Sequence, residues 1–327
     1  MQPFVLIPAY KDYLWGGTRL KDEWGKRTDL GVVAESWELS AHPTGDGVVA
    51  DGPWAGRSFS EAVRTHPEIV SRRHEVDAPF PLLVKLIDAR LPLSVQVHPD
   101  DAYAARVEHG SGKSEMWLVL DHEPGAFLYV GFDREITREE VERRVEDGGL
   151  TDVLRRVEVR RGDRFFIPAG TIHAIGGGIL IAEVQQSSDL TYRVFDYGRL
   201  GPDGKPRPLH AAKALDVLCR GPVSFAVPGA RPVRPVPGGT LERLADCPHF
   251  RVELLELAGR WERAADRDTF HSLLCLEGEA TLRAEAAVLS ANKGASLFVP
   301  ADAGPFVLEG AARFLITSLG GQGGKGG

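Results

Sequence analysis

Histidine, glutamate and glutamine recur in this chain at spacings that can hold a metal ion. The clearest stretch runs from Gly162 to His173 and has the form Gly-x5-Pro-x-Gly-x2-His. Gly162 permits a turn, because glycine takes positive φ without a Cβ penalty. Arg164, Phe165, Phe166 and Ile167 then read as a short β run, which Pro168 stops because it has no N–H for the ladder. Gly170 turns the chain again, and the next strand begins at His173. An imidazole fixed at a strand start is a good metal ligand. The bland alternative is a hairpin whose histidine meets solvent or a backbone carbonyl.

Partners for His173 exist upstream. Leu93 to Pro99 alternates as a strand, so Ser94, Gln96 and His98 share one face while Val95 and Val97 take the other. Glu115 opens the apolar run Glu115 to Leu120, and Lys113, two residues earlier, lies on its face. Gln96, His98, Glu115 and His173 would supply two imidazoles, one carboxylate and one amide oxygen. That N/O set suits zinc and admits manganese, iron or cobalt, with room left for water or substrate. Lys85 interrupts the apolar run Pro81 to Asp88 and aims either into a pocket or at solvent from an edge.

The remaining elements must position these groups. At 327 residues the chain suggests two domains or one elaborated one. A net charge of −7 from 39 basic and 46 acidic residues gives no overall basic signal for nucleic acid or an anionic membrane. Cys219, Cys247 and Cys275 are dispersed and odd in number, and read as buried thiols of a reducing compartment. Met1 begins no signal peptide and no run has transmembrane length, so a cytoplasmic protein is expected. Ala34 to Ser40 alternates, with Glu35, Trp37 and Leu39 on one side. Ser58-x-x-Glu61 reads as a capping box. Pro99-Asp100-Asp101 is a helix start.

A helical block is predicted from Thr137 to about Val157, split by Gly148-Gly149 into a helical hairpin. It reads as an insertion, near 133–157, covering one end of a barrel. Strands follow over Ile179 to Gln186 and Leu190 to Tyr197. Gly176-Gly177-Gly178 is no phosphate loop, since no Gly-Lys-Ser/Thr or helix start follows. Pro208 to Leu218 is expected as a helix, and 221–240, with five prolines, as a stiff linker. His271 to Leu282 reads as a β-hairpin. Gly294-x5-Pro300 echoes Gly162-x5-Pro168 without a histidine, which suggests a second barrel lacking a complete metal set. The glycine-rich tail over 320–327 is expected to be disordered.

The glycine–proline–histidine stretch resembles the second signature of the cupin superfamily. The combination is more specific. It comprises Leu14-Trp15-Gly16-Gly17, Ser94-x-Gln96-x-His98-Pro99-Asp100, Gly112-Lys113-x-Glu115-Met116-Trp117, Pro168-Ala169-Gly170-Thr171-x-His173 and Gln185-Gln186-Ser187-Ser188-Asp189-x-Thr191-Tyr192-Arg193. Together these resemble type I mannose-6-phosphate isomerase in its short bacterial form, over nearly the whole chain. The resemblance implies a mainly β fold. A cupin (jelly-roll) barrel with a small helical insertion would occupy 1–220, followed by the 221–240 linker and a degenerate cupin-like domain over 241–319.

The resemblance also implies a zinc-dependent enzyme, one ion per chain, interconverting mannose 6-phosphate and fructose 6-phosphate. Gln96, His98, Glu115 and His173 would be the zinc ligands, with Ser94, Lys113, Glu183, Arg193 and Arg199 lining the substrate pocket and Lys85 binding substrate beside them. Moving a proton between C2 and C1 through a cis-enediol needs a base, charge stabilisation and a phosphate anchor. Glu183 is the natural carboxylate base and Lys113 the alternative. Arg193 stabilises the enediolate or grips phosphate, since its planar fork matches either. The implied partner is a small sugar phosphate, with no nucleic acid or membrane, on a monomer or homodimer. Two rival readings stand: a non-haem iron oxygenase built on His98, Glu115 and His173, and a non-catalytic sugar-binding cupin.

Overall fold

Ile179–Gln186 is apolar at positions of both parities and buried along its whole length, so the strand must be covered on both faces. In the computed structural model, which describes residues 1–321 apart from 202, 203, 265 and 286, this requirement organises the molecule. Ile179–Gln186 lies inside a six-stranded antiparallel sheet. Its order from one edge is Arg164–Ile167, Glu115–His122, Ile179–Gln186, Leu82–Ala89, Glu35–Leu39 and Ala9–Lys11. One face packs against a five-stranded antiparallel sheet ordered Leu154–Glu158, Phe127–Phe132, His173–Ile175, Val95–Val97 and Tyr192–Phe195. Ile87, Trp117, Val119 and Ile181 of the first sheet share a core with Leu128, Val130 and Ile175 of the second. This pair of facing sheets is the expected jelly-roll barrel.

The other face of the six-stranded sheet presents Val84, Leu86, Met116, Leu118, Leu180 and Val184. These pack on Phe250, Val252, Leu254, Leu274, Phe298 and Leu315 of a nine-stranded sheet. That sheet curls into the second barrel, with its own interior around Leu255, Leu273, Phe306, Phe314 and Ile316. It is completed from the opposite end of the chain: Phe4–Ile7 pairs with Ser296–Val299 and Val48–Val49 pairs with Phe4–Ile7. The N-terminal strand is therefore shared out to the second barrel, although the expected division gave it to the first. A buried ion pair ties the two halves. Glu38 Oε1 lies 2.6 Å from Lys26 Nζ, which donates to Gly294 O, and Ser296 Oγ donates to Glu38 Oε2 at 2.6 Å.

The helices differ from expectation in extent and place. Thr137 caps Arg138–Glu146 as predicted, accepting from Glu140 N. Past Gly148 (φ +77°) the chain makes a 3-10 turn, Leu150–Val153, and then the edge strand Leu154–Glu158 rather than a second helix. The run Arg155-Arg156-Val157-Glu158 has no apolar stripe of helical period to bury, and a strand edge solvates its charges. With Ala211–Val217, the helix covers the outer face of the five-stranded sheet, where Val141, Leu150, Ala214 and Leu215 meet Val95, Val97 and Val194. The insertion is a lid on a face, not a plug at a barrel end.

Three further expectations change. Within 221–240, Arg231–Val236 is a strand paired with Gly239–Asp246; its prolines are tolerated because it lies at the sheet edge, where a missing N–H costs no ladder bond. His271–Ala284 is one long strand, and Gly278 (φ +73°) sits beside a register shift between Cys275 and Glu277 rather than in a hairpin turn. Cys219 is exposed while Cys247 and Cys275 are buried, all three unpaired. Of the tail, 322–327 lie outside the described residues. No helix among the described residues is long and apolar enough to cross a membrane.

Candidate metal centre and adjoining cavity

Strand alternation sends one set of side chains from each sheet into the first barrel, and the pairing register lines them up in rows. On the six-stranded sheet Trp37, Lys85, Glu183 and Trp117 are successive cross-strand neighbours, with Glu115 opposite Gln185 beside them. On the five-stranded sheet His173, Gln96 and Arg193 form the facing row. Val95 and Val97, of the opposite parity, go to the helical layer.

The ligand atoms of His98, Glu115 and His173 all lie within 4.8 Å of one another, and each residue is 1% exposed. His98 Nε2 is 3.2 Å from Glu115 Oε1, and His173 Nε2 is 3.8 Å from Glu115 Oε2. The other nitrogen of each ring is engaged elsewhere: His98 Nδ1 donates to Leu190 O at 2.7 Å and His173 Nδ1 to Thr171 O at 2.9 Å. That choice makes each Nε2 the acceptor nitrogen on the side of the carboxylate, the tautomer that metal-ligating histidines need, with Lys113 Nζ 3.3 Å from His98 Nε2. Burial, and for His98 the Lys113 charge, push both imidazoles toward the neutral form, His98 to about 3. Burial opposes the charge of Glu115, but the adjacent Lys113 ammonium outweighs it and holds the carboxyl ionised well below the usual range. Its Oε1 is buried with no hydrogen bond, although Lys113 Nζ lies at 2.6 Å. The side-chain amide of Gln96 lies 3.4 Å from His173 Nε2 and 3.5 Å from Ser94 Oγ. Two neutral imidazoles, an ionised carboxylate and an amide fit a divalent ion of the zinc type.

Beside this cluster opens a cavity of about 330 Å³. Ser94, Lys113, Lys85, Glu183 and Arg193, which the resemblance implies for the substrate pocket, line it together with Gln96. Glu183, 3% exposed, accepts from Trp117 Nε1 at 2.8 Å and lies 3.4 Å from Lys85 Nζ. Burial, together with the Glu115 charge, lifts its carboxyl to about 7. Lys85 is also buried; Glu35, Glu183 and Glu115 outweigh that desolvation and hold its ammonium charged. Trp117 Nε1 is also 3.1 Å from Glu115 Oε2, so one indole bridges the metal cluster and the second carboxylate.

Arg199 is not among the residues lining this cavity. Asp196 holds its Nε at 3.2 Å, and the carbonyl of Pro92 takes its Nη1. Arg207, which sequence reading passed over, lines the cavity instead, held by Asp196 through Nε at 2.7 Å and Nη2 at 2.5 Å. Glu35, Trp37, Tyr13 and Asp189 were also not singled out as site residues and line it too. The alternation of Ala34 to Ser40 already placed Glu35 and Trp37 on one face; Arg207 sits in a loop whose sequence carries no such signal.

A jelly-roll barrel that gathers two imidazoles, a carboxylate and an amide on its inner wall defines a metal-binding cupin. Family models agree and go further: type I phosphomannose isomerase, catalytic domain, matches residues 4–124, and mannose-6-phosphate isomerase, cupin domain, matches residues 240–319. Mannose-6-phosphate isomerase ManA of Bacillus subtilis is 36% identical over 324 residues, 97% of this chain and 99% of that protein. The crystal structure of the mannose 6-phosphate isomerase from Bacillus subtilis superposes with a TM-score of 0.90 at 33% identity, covering 97% of this chain and 99% of that one. A zinc-bound holo mannose 6-phosphate isomerase shares the fold at a TM-score of 0.76 and 18% identity, covering 98% of this chain and 100% of that one. The chain belongs to the type I mannose-6-phosphate isomerase family.

Proposed function

We propose that this protein interconverts mannose 6-phosphate and fructose 6-phosphate through a cis-enediol, with one zinc ion held by Gln96, His98, Glu115 and His173 and Glu183 moving the proton. The observation that carries this reading is the convergence of the two acceptor Nε2 atoms of His98 and His173 on the buried Glu115, beside a cavity that Gln96, Glu183 and Arg193 line. When bound, the ion supplies Lewis acidity that polarises substrate oxygens and fixes their orientation.

The protein's own groups divide the rest of the work. Glu183, a buried carboxylate in the cavity wall, takes a carbon-bound proton and returns it to the neighbouring carbon. Lys85 and Trp117 hold its two oxygens in place. Lys113 is 2.6 Å from Glu115 Oε1 and 3.3 Å from His98 Nε2, so its charge is committed to the metal cluster. That engagement favours Glu183 over Lys113 as the base. Arg193 donates Nη1 to Pro208 O at 3.0 Å but keeps a buried Nε with no partner among the described residues, a donor available to an enediolate oxygen. Arg207 brings a second guanidinium to the cavity and, with Ser94, suits the phosphate end. Trp15, Trp37 and Tyr13 offer flat apolar walls to the sugar.

Three unpaired cysteines support a reducing, cytoplasmic setting for this chemistry. A coupled assay of mannose 6-phosphate turnover, before and after chelation, tests the reading. Turnover should vanish with the metal and return with zinc. A well-folded, zinc-loaded protein that fails to turn over mannose 6-phosphate would refute it.

A further inference from the structure

The second barrel lacks the metal set of the first, yet it is not inert. Its interior is apolar through Leu255, Leu273, Phe306 and Phe314, but one region of it is strongly polar. Glu253 and His271 are each 5% exposed there. Arg263 Nη2 donates to Glu253 Oε2 at 2.6 Å, and Arg243 is the cross-strand neighbour of Glu253. Four nitrogens of this group are buried without a hydrogen bond among the described residues: Arg263 Nη1, Arg243 Nε, and both Nδ1 and Nε2 of His271. Buried polar atoms are rarely left unpaired, because each forfeits its hydration. Burial, reinforced by the charges of Arg263 and Arg251, pushes His271 down to about 3, so its ring is neutral and one N–H is free to donate.

Glu253 and Arg243 also line a cavity of about 390 Å³ on this barrel, together with Arg231, Arg234 and Leu241. Arg231 is the cross-strand neighbour of Arg243. Arg243 Nη1 lies 3.3 Å from Asp246 Oδ2 and Glu253 is paired with Arg263, so the excess positive charge at the cleft is that of Arg231 and Arg234, which form no ion pair among the described residues and together match a dianion. The planar guanidinium fork is suited to paired oxygens on one centre.

We infer that this arginine-lined cleft of the second barrel binds a phosphoryl group, either as free phosphate or on a small phosphorylated metabolite. Arg231, Arg234 and Arg243 take its oxygens, while Glu253 holds Arg263 in position behind them and His271 reports on the charge. The site is separate from the catalytic cavity and shares none of its lining residues.

Nitrogen-15 histidine spectra of the full-length, zinc-loaded protein, with the His271 signals assigned through His271→Asn, give a local readout that catalytic-site binding does not move. Titration with inorganic phosphate should shift the His271 signals saturably. Arg243→Leu should weaken that saturation roughly ten- to hundredfold, the scale of a lost charge-assisted contact. Arg231→Gln, at an exposed strand edge, is a milder second variant should Arg243→Leu not fold, and it too should weaken binding. Both should keep full isomerase turnover. A tighter response to glycerol 3-phosphate identifies a phosphomonoester as the ligand, and a tighter response to inorganic phosphate identifies the free anion. His271 signals that stay fixed with both probes, or an equal affinity in parent and folded variants, would overturn the inference.

Discussion

Replacing Glu183 by Gln should make the metal-free protein more stable as pH rises and should abolish most activity, and both effects have the same origin. The carboxyl is 3% exposed and is lifted from 4.5 to about 7, by burial first and by the Glu115 charge second. An unfolded chain ionises this group near its ordinary value. Between about pH 4.5 and about pH 7 the native state therefore holds a proton that the unfolded state has released. The parent loses stability as pH climbs through that window, and the loss is complete above it. A lift of this size corresponds to about 3 kcal/mol, at 1.36 kcal/mol per pKa unit. Glutamine has no charge to bury, so the variant escapes that loss. Its carbonyl still accepts from Trp117 Nε1, and whatever the amide costs beside Lys85 does not depend on pH. The readout is therefore a slope. Urea denaturation of chelated parent and variant should show the variant gaining about 3 kcal/mol on the parent between about pH 4 and about pH 8. Zinc reloading should shrink the gain, because a cation beside Glu115 favours the ionised Glu183. In the reloaded variant kcat should fall by roughly 10²- to 10⁴-fold, the loss expected for a missing general base. A stability difference independent of pH would refute the buried-charge argument, and near-parental turnover would move the base to Lys113.

Two other perturbations separate roles within the site. His173→Ala should lose most bound zinc, measured by atomic absorption, while its far-ultraviolet circular dichroism stays unchanged, because the barrel core around Leu128, Val130 and Ile181 is apolar and independent of the ligand; equal zinc content would remove His173 from the ligand set. Arg193→Ala should lower kcat by roughly 10²-fold or more, as for a lost transition-state donor. Arg207→Ala should act mainly by raising KM for the sugar phosphate, and an interchange of these two patterns would reverse the assignments.

What could be read from the sequence followed from local period. His98 followed from the alternation of Ser94, Gln96 and His98, Glu115 from its place at the head of an apolar run, and His173 from the glycine–proline–glycine spacing before it. Lys113 followed from its two-residue offset to Glu115. The row of Trp37, Lys85, Glu183 and Trp117 was not legible, because it depends on the register of four strands far apart in sequence. Hydrophobic alternation says which side a residue takes, not which residue stands beside it. Arg207 reaches the cavity from a loop that Asp196 anchors, so no periodicity announced it. The strand Leu154–Glu158 was missed because its charges fit an exposed helix as well as an exposed edge. Arg231–Val236 was missed because prolines argue against a strand everywhere except at an edge, and being at an edge is a property of the finished sheet.

The same geometry explains why the second barrel cannot be treated as an appendage. The inner face of the six-stranded sheet is occupied by chemistry, with Glu35, Lys85, Glu115 and Glu183 all buried within it. Burying four ionisable groups on one wall is costly even when they are paired. The apolar burial that offsets this cost must come from the other face, where Met116, Leu118, Leu180 and Val184 pack on the second barrel. That barrel in turn needs Phe4–Ile7 to continue its sheet, with Phe4 stacked on Phe298 at 5.2 Å. The chain thus closes on itself: its first strand extends the sheet that backs the sheet that carries Glu115 and Glu183. The charged inner wall is tolerated because the outer wall is dry, and the outer wall is dry because the second barrel covers it.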